Sequence, residues 1–594
     1  MLRQLTPDTV VNQHSFIDGV VSSGKIRLHP RGEVGAFARG HARTLDSTAS
    51  LQSAATHNTL RLALCLAPHQ RLQWLAVTCM FSILSGAEAQ IVNLLATGQT
   101  YLTRRKMDRS PGASVLECTA TFLLSLGLML CIQFASPAIV GNDAYYHIRW
   151  SRILLASAPH LPAFTWLPLT VLRPSAFVDQ HFLFHVLLMP FTLGDLRVGA
   201  KLAAPLFSAL ALASIFWLLV TYRVRYRWLW LLPLAAGSEP FLYRMSMTRA
   251  PSLSLALLGL GVYLILERRF VSLAFLTFIF VWLYNLFPLI LVFGFAHAVT
   301  VWLSERRLDF AALYATSLGA ALGLVINPYF PKDFVLIFHH AHMLLAETTA
   351  IDVGSEWYPY DTWEVLTKSA AVFALYFAAL LTFNFRKRSA DKRPLFFLLL
   401  AAVFLLMSLR WRRFFEYWPP FAVLFAAFTF DAELPESPRR LRLRLSMAAL
   451  LTVLGVIAIL NVRAARAEIR GIRDPFAMRG ASAWLATHTP AGSLVFNTDW
   501  VEFPELFYYN QRNVYVTGLD PRYLFDSQPE LWKVYDRITQ GQEKHPGPII
   551  RERFGTQYVV ARNDSTEFLD AAKASGDFET VYSDAYASVL RISQ

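Results

Sequence analysis

The chain has 594 residues, of which 55% are hydrophobic and 16% charged, with a formal net charge of +13. Soluble globular proteins carry about 25% charged residues, and here the apolar excess is spread over hundreds of positions; a soluble fold with one anchor is excluded, and so is intrinsic disorder. Four cysteines, Cys65, Cys79, Cys118 and Cys131, are too few for a disulfide-stapled secreted domain.

The basic residues come in short runs between apolar stretches, at 104–109, 223–227, 268–269, 306–307, 386–393 and 439–444. That is the placement expected of cytoplasmic loops, so nucleic acid is not expected as a partner. No Walker loop, zinc-finger spacing or dinucleotide glycine fingerprint is present. The chain opens Met-Leu-Arg-Gln without an apolar core in its first 40 residues, which does not read as a signal peptide. Residues 1–113 are expected to be an N-terminal extension, cytoplasmic or peripheral. Within them, 72–97 carries Glu88 and Gln90 and reads as an amphipathic or peripheral helix, with a spanning helix as the other option.

The first clear span is 114–136. Further spans are expected at 198–221, 226–239, 251–267, 270–284, 286–303, 309–326, 367–385, 394–409, 417–431 and 446–462. This makes a polytopic α-helical membrane protein of about 11 spans, within a range of 10 to 13. The basic runs then all fall inside. Loops 141–197, 240–250, 327–366 and 410–416 fall outside, with 182–191 a short apolar stretch along the interface. The transmembrane domain covers 114–462. The tail, 463–594, is expected to be a small extracytoplasmic α/β domain, with strands at 493–496, 513–517, 557–561 and 579–583 and helices at 476–487 and 565–573.

Charged groups outside carry the functional information, because charge at membrane depth is costly. Asp143, Tyr146, His147 and Arg149 follow the first span directly. They read either as an interfacial belt or as a carboxylate site for general-base or metal chemistry. Glu239, Arg244 and Arg249 follow, as either a salt bridge from Glu239 to Arg244 or a phosphate site. The loop with Asp352, Glu356, Tyr358 and Asp361 suits sugar or metal contact, or a plain lid. His339, His340 and His342 precede it as a weak metal cluster. Arg410, Arg412 and Arg413 breach the charge rule most strongly. Arg410 and Arg413 are expected on one helical face as a phosphate clamp, continued by Glu416 and Tyr417. Asp179, His181 and His185 either orient a substrate or tile a polar interface. Asp520 and Arg522 are either groove residues or ordinary turn charges.

A first span, an acidic motif opening a long external loop, many further spans and a soluble C-terminal module together resemble the GT-C superfamily of membrane glycosyltransferases. The likeness is greatest to the catalytic subunit of oligosaccharyltransferase and its bacterial and archaeal relatives. The resemblance implies that Asp143 stands at the first acidic motif, Glu239 near the second and Glu356 at the late loop glutamate. It implies Arg410 or Arg413 as the arginine on the lipid phosphate. After Trp484-Leu485 and Thr489-Pro490, where the family shows Trp-Trp-Asp-Tyr-Gly, this chain has Asn497-Thr498-Asp499-Trp500. Asp499 and Trp500 are therefore expected near the acceptor.

The implied activity is glycosyl transfer from a polyprenyl phosphate or pyrophosphate sugar to a glycan, lipid or protein acceptor. The expected place is the external face of a bacterial inner membrane. Asp143, Glu239 and Glu356 are the expected catalytic residues and the ligands of a divalent ion, Mg2+ or Mn2+. A transporter or flippase for a lipid-linked precursor, or a non-catalytic envelope-assembly protein, are the rival readings. Few charges lie inside the spans and no duplicated halves are visible, against what a transporter needs.

Overall fold

The computed structural model describes residues 111–335, 337, 351, 353–387, 391–431 and 441–593, with 111–113, 387 and 441–444 described by backbone alone. The extension before residue 111 with its 72–97 segment, the histidines at 339, 340 and 342, and Asp352 lie outside the described residues.

Helix α1 (Pro111–Gln133) leads to α2 (Asp143–Ser157), α3 (Phe182–Leu188) and the long α4 (Leu196–Thr221). Short α5 (Arg227–Ala236) and α6 (Glu239–Met245) precede α7 (Pro251–Leu266), α8 (Phe270–Leu283), α9 (Pro288–Glu305) and α10 (Ala311–Val325). Next come α11 (Thr362–Lys368) and α12 (Ala370–Thr382), bent by 84°, then α13 (Arg393–Arg410), α14 (Trp418–Asp431) and α15 (Leu441–Arg470). Prolines set several starts: Pro251, Pro288 and Pro394 occupy the first turns of α7, α9 and α13, where no backbone donor is lost. Asp195 caps α4 by accepting from the Val198 amide at 2.9 Å.

Five helices are long and apolar enough to cross a membrane, and six if the bent pair counts as one span. The protein is thus a polytopic α-helical membrane protein. A helix stands at every expected span, but α5, α7, α8, α10, α12 and α14 have 10 to 16 residues. At 1.5 Å per residue they reach about 15–24 Å, short of a hydrocarbon layer of about 30 Å. Among the long helices, Leu196–Thr221 is 72% buried and forms the centre of the bundle. The first and last candidate spans are each only 22% buried and face outward.

Ion pairs sort the loops into two ends. Arg225 with Asp431 (3.4 Å), Arg268 with Asp309 (2.6 Å), Arg227 with Glu117 and Lys392 with Glu305 all join segments expected on the inner side. The opposite end carries the C-terminal domain. Its mixed sheet is made of β1 (Leu494–Asn497), β2 (Val514–Tyr515), β3 (Tyr558–Arg562), β4 (Phe578–Ser583) and β5 (Ala587–Ile592), in the order β2-β1-β3-β5-β4. β1 pairs parallel with β2 and β3; β5 pairs antiparallel with β3 and β4. The strand β5 was not among those expected. Helix α15 runs on to Arg470, eight residues past the expected span end at 462.

This domain is packed onto the loop at 141–197, expected to be external. Trp150, Phe164 and Phe177 share one core with Phe503, Phe507 and Tyr515. The Trp166 indole donates to the Gln511 carbonyl at 2.9 Å, and the Tyr515 amide donates to the Trp166 carbonyl at 2.9 Å.

The turn between α1 and α2 is held by Lys201, only 3% exposed on α4. Its ammonium donates to the carbonyls of Gln133 (2.6 Å), Ser136 (2.9 Å) and Ala138 (2.8 Å). One cation thus satisfies the carbonyl that ends α1 and two carbonyls of the turn that follows. Lys201→Met is expected to lower stability by about 2–3 kcal/mol, because charged donors are lost and buried acceptors stranded. A thermal-unfolding midpoint equal to wild type, measured on the detergent-solubilised chain, would contradict this role.

Candidate functional site

A cavity of about 380 Å3 lies where the four expected external loops meet the C-terminal domain. Two glycines with left-handed backbone deliver its carboxylates. Gly141 (φ 85°) lets the chain turn sharply into α2, and Asp143 becomes its first residue. The Asn142 amide donates to the Val501 carbonyl at 2.7 Å and ties this turn to the C-terminal domain. Tyr146 and His147 follow on the same helical face and also line the cavity. Gly354 (φ 80°) lies under the Trp500 ring, which a Cβ there would approach to 3.0 Å, and leads into the short turn that carries Glu356.

Five charges of alternating sign run behind this wall. The Arg249 guanidinium donates to Glu356 Oε1 and lies 3.5 Å from Asp143 Oδ2. Arg244 Nη2 lies 3.4 Å from Glu356 Oε1 and 2.6 Å from Glu416 Oε1. The Arg244 and Glu416 side chains are 4% and 2% exposed. Burial alone would raise the Glu356 carboxyl, but Arg249, Arg244 and Arg413 outweigh it and hold it well below the usual carboxylate range. Asp143 is pushed up by burial, against the pull of Arg249. The alternative bridge from Glu239 to Arg244 is absent, because Arg244 is turned to Glu356 and Glu416.

Arg413 differs from both arginines. Among the described residues it has no carboxylate partner. Its guanidinium donates to the Tyr284 hydroxyl at 3.4 Å and stacks 4.8 Å from the Trp357 ring centre. It stands at a junction, because a second cavity of about 350 Å3, lined mostly by apolar side chains of α8, α9, α10 and α13, shares Arg413, Trp357, Asn285 and Gln180 with the first. A chain of hydrogen bonds crosses this junction. Asn285 Nδ2 donates to Gln180 at 2.8 Å, and Gln180 Nε2 donates to the Tyr523 hydroxyl at 3.0 Å.

Several residues singled out in the sequence lie elsewhere. Arg410 ends α13 and is exposed, stacked on Trp411. It does not share a face with Arg413, because Trp411 is extended (φ −138°) and breaks the helix between them. Glu239 lies 3.1 Å from Lys368 Nζ and does not line the cavity. Tyr358 is exposed and offers its carbonyl to the Arg412 amide at 3.1 Å. Asp361 caps α11, and Tyr417 is a core side chain bonded to Ser254 at 2.9 Å. Arg149 stacks 5.0 Å over Tyr508, and Asp499 closes a capping box on Trp500–Glu502. The expected ligands Asp143, Glu239 and Glu356 do not form one set: Glu239 faces Lys368, and the Arg249 guanidinium lies against the other two where a shared cation would sit. Among the described residues no group of three or more His, Cys, Asp or Glu side chains is placed to hold a metal ion.

The cavity also holds residues that the sequence left open or unnoticed. Asp179, His181 and Asp520 line it, as do Asn285, Trp357 and Tyr523. Burial pushes the Asp520 carboxyl up to about 7. Asn285 had one available signal, since it is the polar break between the apolar runs of α8 and α9.

No family model and no curated protein matches the chain. Solved structures do. The archaeal oligosaccharyltransferase AglB from Archaeoglobus fulgidus, in complex with an inhibitory peptide and a dolichol-phosphate, superposes with a TM-score of 0.53 at 13% identity, over 75% of this chain and 69% of that one. ArnT from Cupriavidus metallidurans bound to undecaprenyl phosphate matches at 16% identity over 81% of this chain and 98% of that one, with a TM-score of 0.48. At such identity the likeness to AglB shows the fold. The chain shares the fold of that archaeal structure. In this fold the bundle is joined to the C-terminal domain across the cavity described above.

Two outcomes follow from the charges. Glu416→Leu leaves Arg244 buried with only its longer contact to Glu356, and is expected to cost about 3–5 kcal/mol of stability, read from the unfolding midpoint. Asp520 holds its proton more tightly folded than unfolded, so its ionisation lowers stability as pH rises from about 4 to 7. Asp520→Asn should therefore gain on wild type through that window and level off above it. Glu502 and Glu505, raised to about 7 by burial as well, act equally in both proteins. A pH-independent difference in midpoint would contradict the assignment.

Proposed function

We propose that the protein is a membrane glycosyltransferase that moves a sugar from a polyprenyl phosphate or pyrophosphate donor to an acceptor at the outer face of a bacterial inner membrane. The observation that carries this reading is Arg413. It is a cation without a carboxylate partner among the described residues, set where a polar cavity opens into an apolar one. A ligand that fits both has an anionic head and a long apolar tail, and a guanidinium matches phosphate oxygens in two directions at once. The AglB structure was obtained with a dolichol-phosphate, a lipid of that design, which supports the same reading here.

On this reading the donor phosphate sits against Arg413, with Arg249 near it, and both stabilise the charge that grows as the sugar leaves. The prenyl tail takes the apolar cavity between α8, α9 and α13. Asp143 orients the acceptor from the first turn of α2. Glu356 keeps Arg249 in place, and Arg244 with Glu416 keeps Glu356 in place. No step is routed through a metal ion. Trp500 lies over the Gly354 turn, and with Asp520 it brings the C-terminal domain to the acceptor side of the cavity. The short helices α5, α7, α8, α10, α12 and α14 complete a bundle of eleven spans between residues 114 and 462, in which tilt and flanking residues make up the missing length. The tail from 463 then lies outside the cell membrane.

Binding of undecaprenyl phosphate to the purified full chain tests the reading. Arg413→Gln is expected to weaken binding by about 10–100-fold, the loss of a charge-assisted contact, and Arg413→Lys by less. Wild type that does not bind the lipid, or Arg413→Gln that binds it equally, would sink the proposal.

A further inference from the structure

A buried line of three side chains joins α2 to α3 and ends at the cavity wall. Asp179, 4% exposed, has both carboxylate oxygens 2.8 Å from His185 Nδ1. Its Oδ2 also accepts from the Trp150 indole at 2.9 Å, and its Oδ1 from the His181 amide at 3.0 Å. His185, fully buried, places Nε2 2.8 Å from His147 Nδ1. His147 in turn lines the cavity, one turn after Asp143.

The proton positions follow from the order of the groups. Burial would raise the Asp179 carboxyl, but the His185 contact and the Trp150 donor outweigh it and keep it ionised. A carboxylate only accepts, so His185 donates from Nδ1. With both rings neutral, His185 Nε2 must accept and His147 Nδ1 must donate. That leaves the free ring lone pair on His147 Nε2, and His147, like Asp179 at the other end of the line, lines the cavity. A carboxylate that fixes the tautomer of an imidazole and steadies the charge it acquires is the arrangement of a general base. Burial and the neighbouring His185, His181 and Arg249 keep His147 well below the usual histidine range, so its neutral form is the resting one. Asp143 is held by Arg249, and a proton on its carboxylate would break that pair; His147 has no ion pair to lose.

We propose that His147 is the general base of the transfer, accepting at Nε2 the proton of an acceptor hydroxyl, with His185 and Asp179 as positioning residues. This rests on the glycosyltransferase reading. As the acceptor oxygen forms its bond to the anomeric carbon, the bond from that carbon to the donor phosphate oxygen breaks and its electron pair leaves on the phosphate. The acceptor proton passes to His147, whose new charge is stabilised through His185 by Asp179. Release of the proton to water restores the base. The acceptor class is therefore a hydroxyl, of a sugar or a lipid, and not an amide.

The test uses the full chain in detergent, labelled undecaprenyl phosphate pentoses and hexoses as donors, and sugars and lipids with free hydroxyls as acceptors. His147→Ala and His147→Gln are both expected to lower kcat by about 10²–10⁴-fold, with the donor KM little changed. Added imidazole should restore part of the activity of H147A and none to H147Q. Asp179→Asn should lower kcat less, and should add nothing on top of H147A. Folding of each variant is checked by its unfolding midpoint. A folded H147Q with wild-type kcat overturns the proposal, and so does an H147A whose loss lies in donor KM and is not rescued. Wild type that binds undecaprenyl phosphate yet transfers no sugar to any acceptor overturns the functional reading, and this proposal with it.

Discussion

Asp143, Arg249, Glu356, Arg244 and Glu416 come from separate stretches of chain and form one line of alternating charge at the edge of an apolar bundle. None of them could be buried alone, because an unpaired charge away from water costs several kcal/mol. Each is tolerable only while its neighbours are present. The line therefore holds the turn after α1, the segment after α6, the loop at 353–357 and the turn after α13 in a single arrangement. The cavity in front of the line exists because these four segments are held there.

The network also explains why two arginines in the same region differ in what they offer. Arg244 and Arg249 have their charge taken up by carboxylates, whereas among the described residues Arg413 contacts a hydroxyl and an aromatic face and no carboxylate. A cation without a direct carboxylate contact beside low-dielectric walls creates a strong local field. It stands where the polar and apolar cavities join, the place the proposed function gives to a donor phosphate. The C-terminal domain closes the other side. It does so through aromatic packing on the loop at 141–197 and through Asn142 and Gln180, whose hydrogen bonds reach Val501 and Tyr523 of the domain.

Much of this was legible along the chain and some was not. Apolar runs located a helix at every expected span, since burial in lipid or protein demands the same composition over 10 to 26 residues. The same runs could not give the helix lengths, because prolines and polar breaks such as Tyr284–Asn285 end helices inside apolar stretches. Asp143, Arg249, Glu356 and Arg413 were visible as charges in the wrong place. Glu239 and Arg410 carried the same signal, yet Lys368 takes the first and an extended Trp411 turns the second outward. The strand β5, from Ala587 to Ile592, ends the chain and pairs with segments on both sides of it in the sheet, a relation that local alternation does not disclose.

By itself the sequence determined that this is a polytopic helical membrane protein with a mixed C-terminal module, and which charges breach the rule for its loops. Those properties follow from transfer free energies, which are summed residue by residue and need no knowledge of neighbours. Only the tertiary structure decided which charges neutralise each other, which arginine has no carboxylate partner among the described residues, and that Asp179, His185 and His147 form a line. Pair interactions decide those matters, and they fall off within a few ångströms, between residues as far apart as Arg244 and Glu416 in the chain. The surplus of positive charge that first marked the chain as unusual thus includes basic loops at one end, guanidiniums paired with carboxylates at the cavity, and Arg413, which among the described residues has no carboxylate partner.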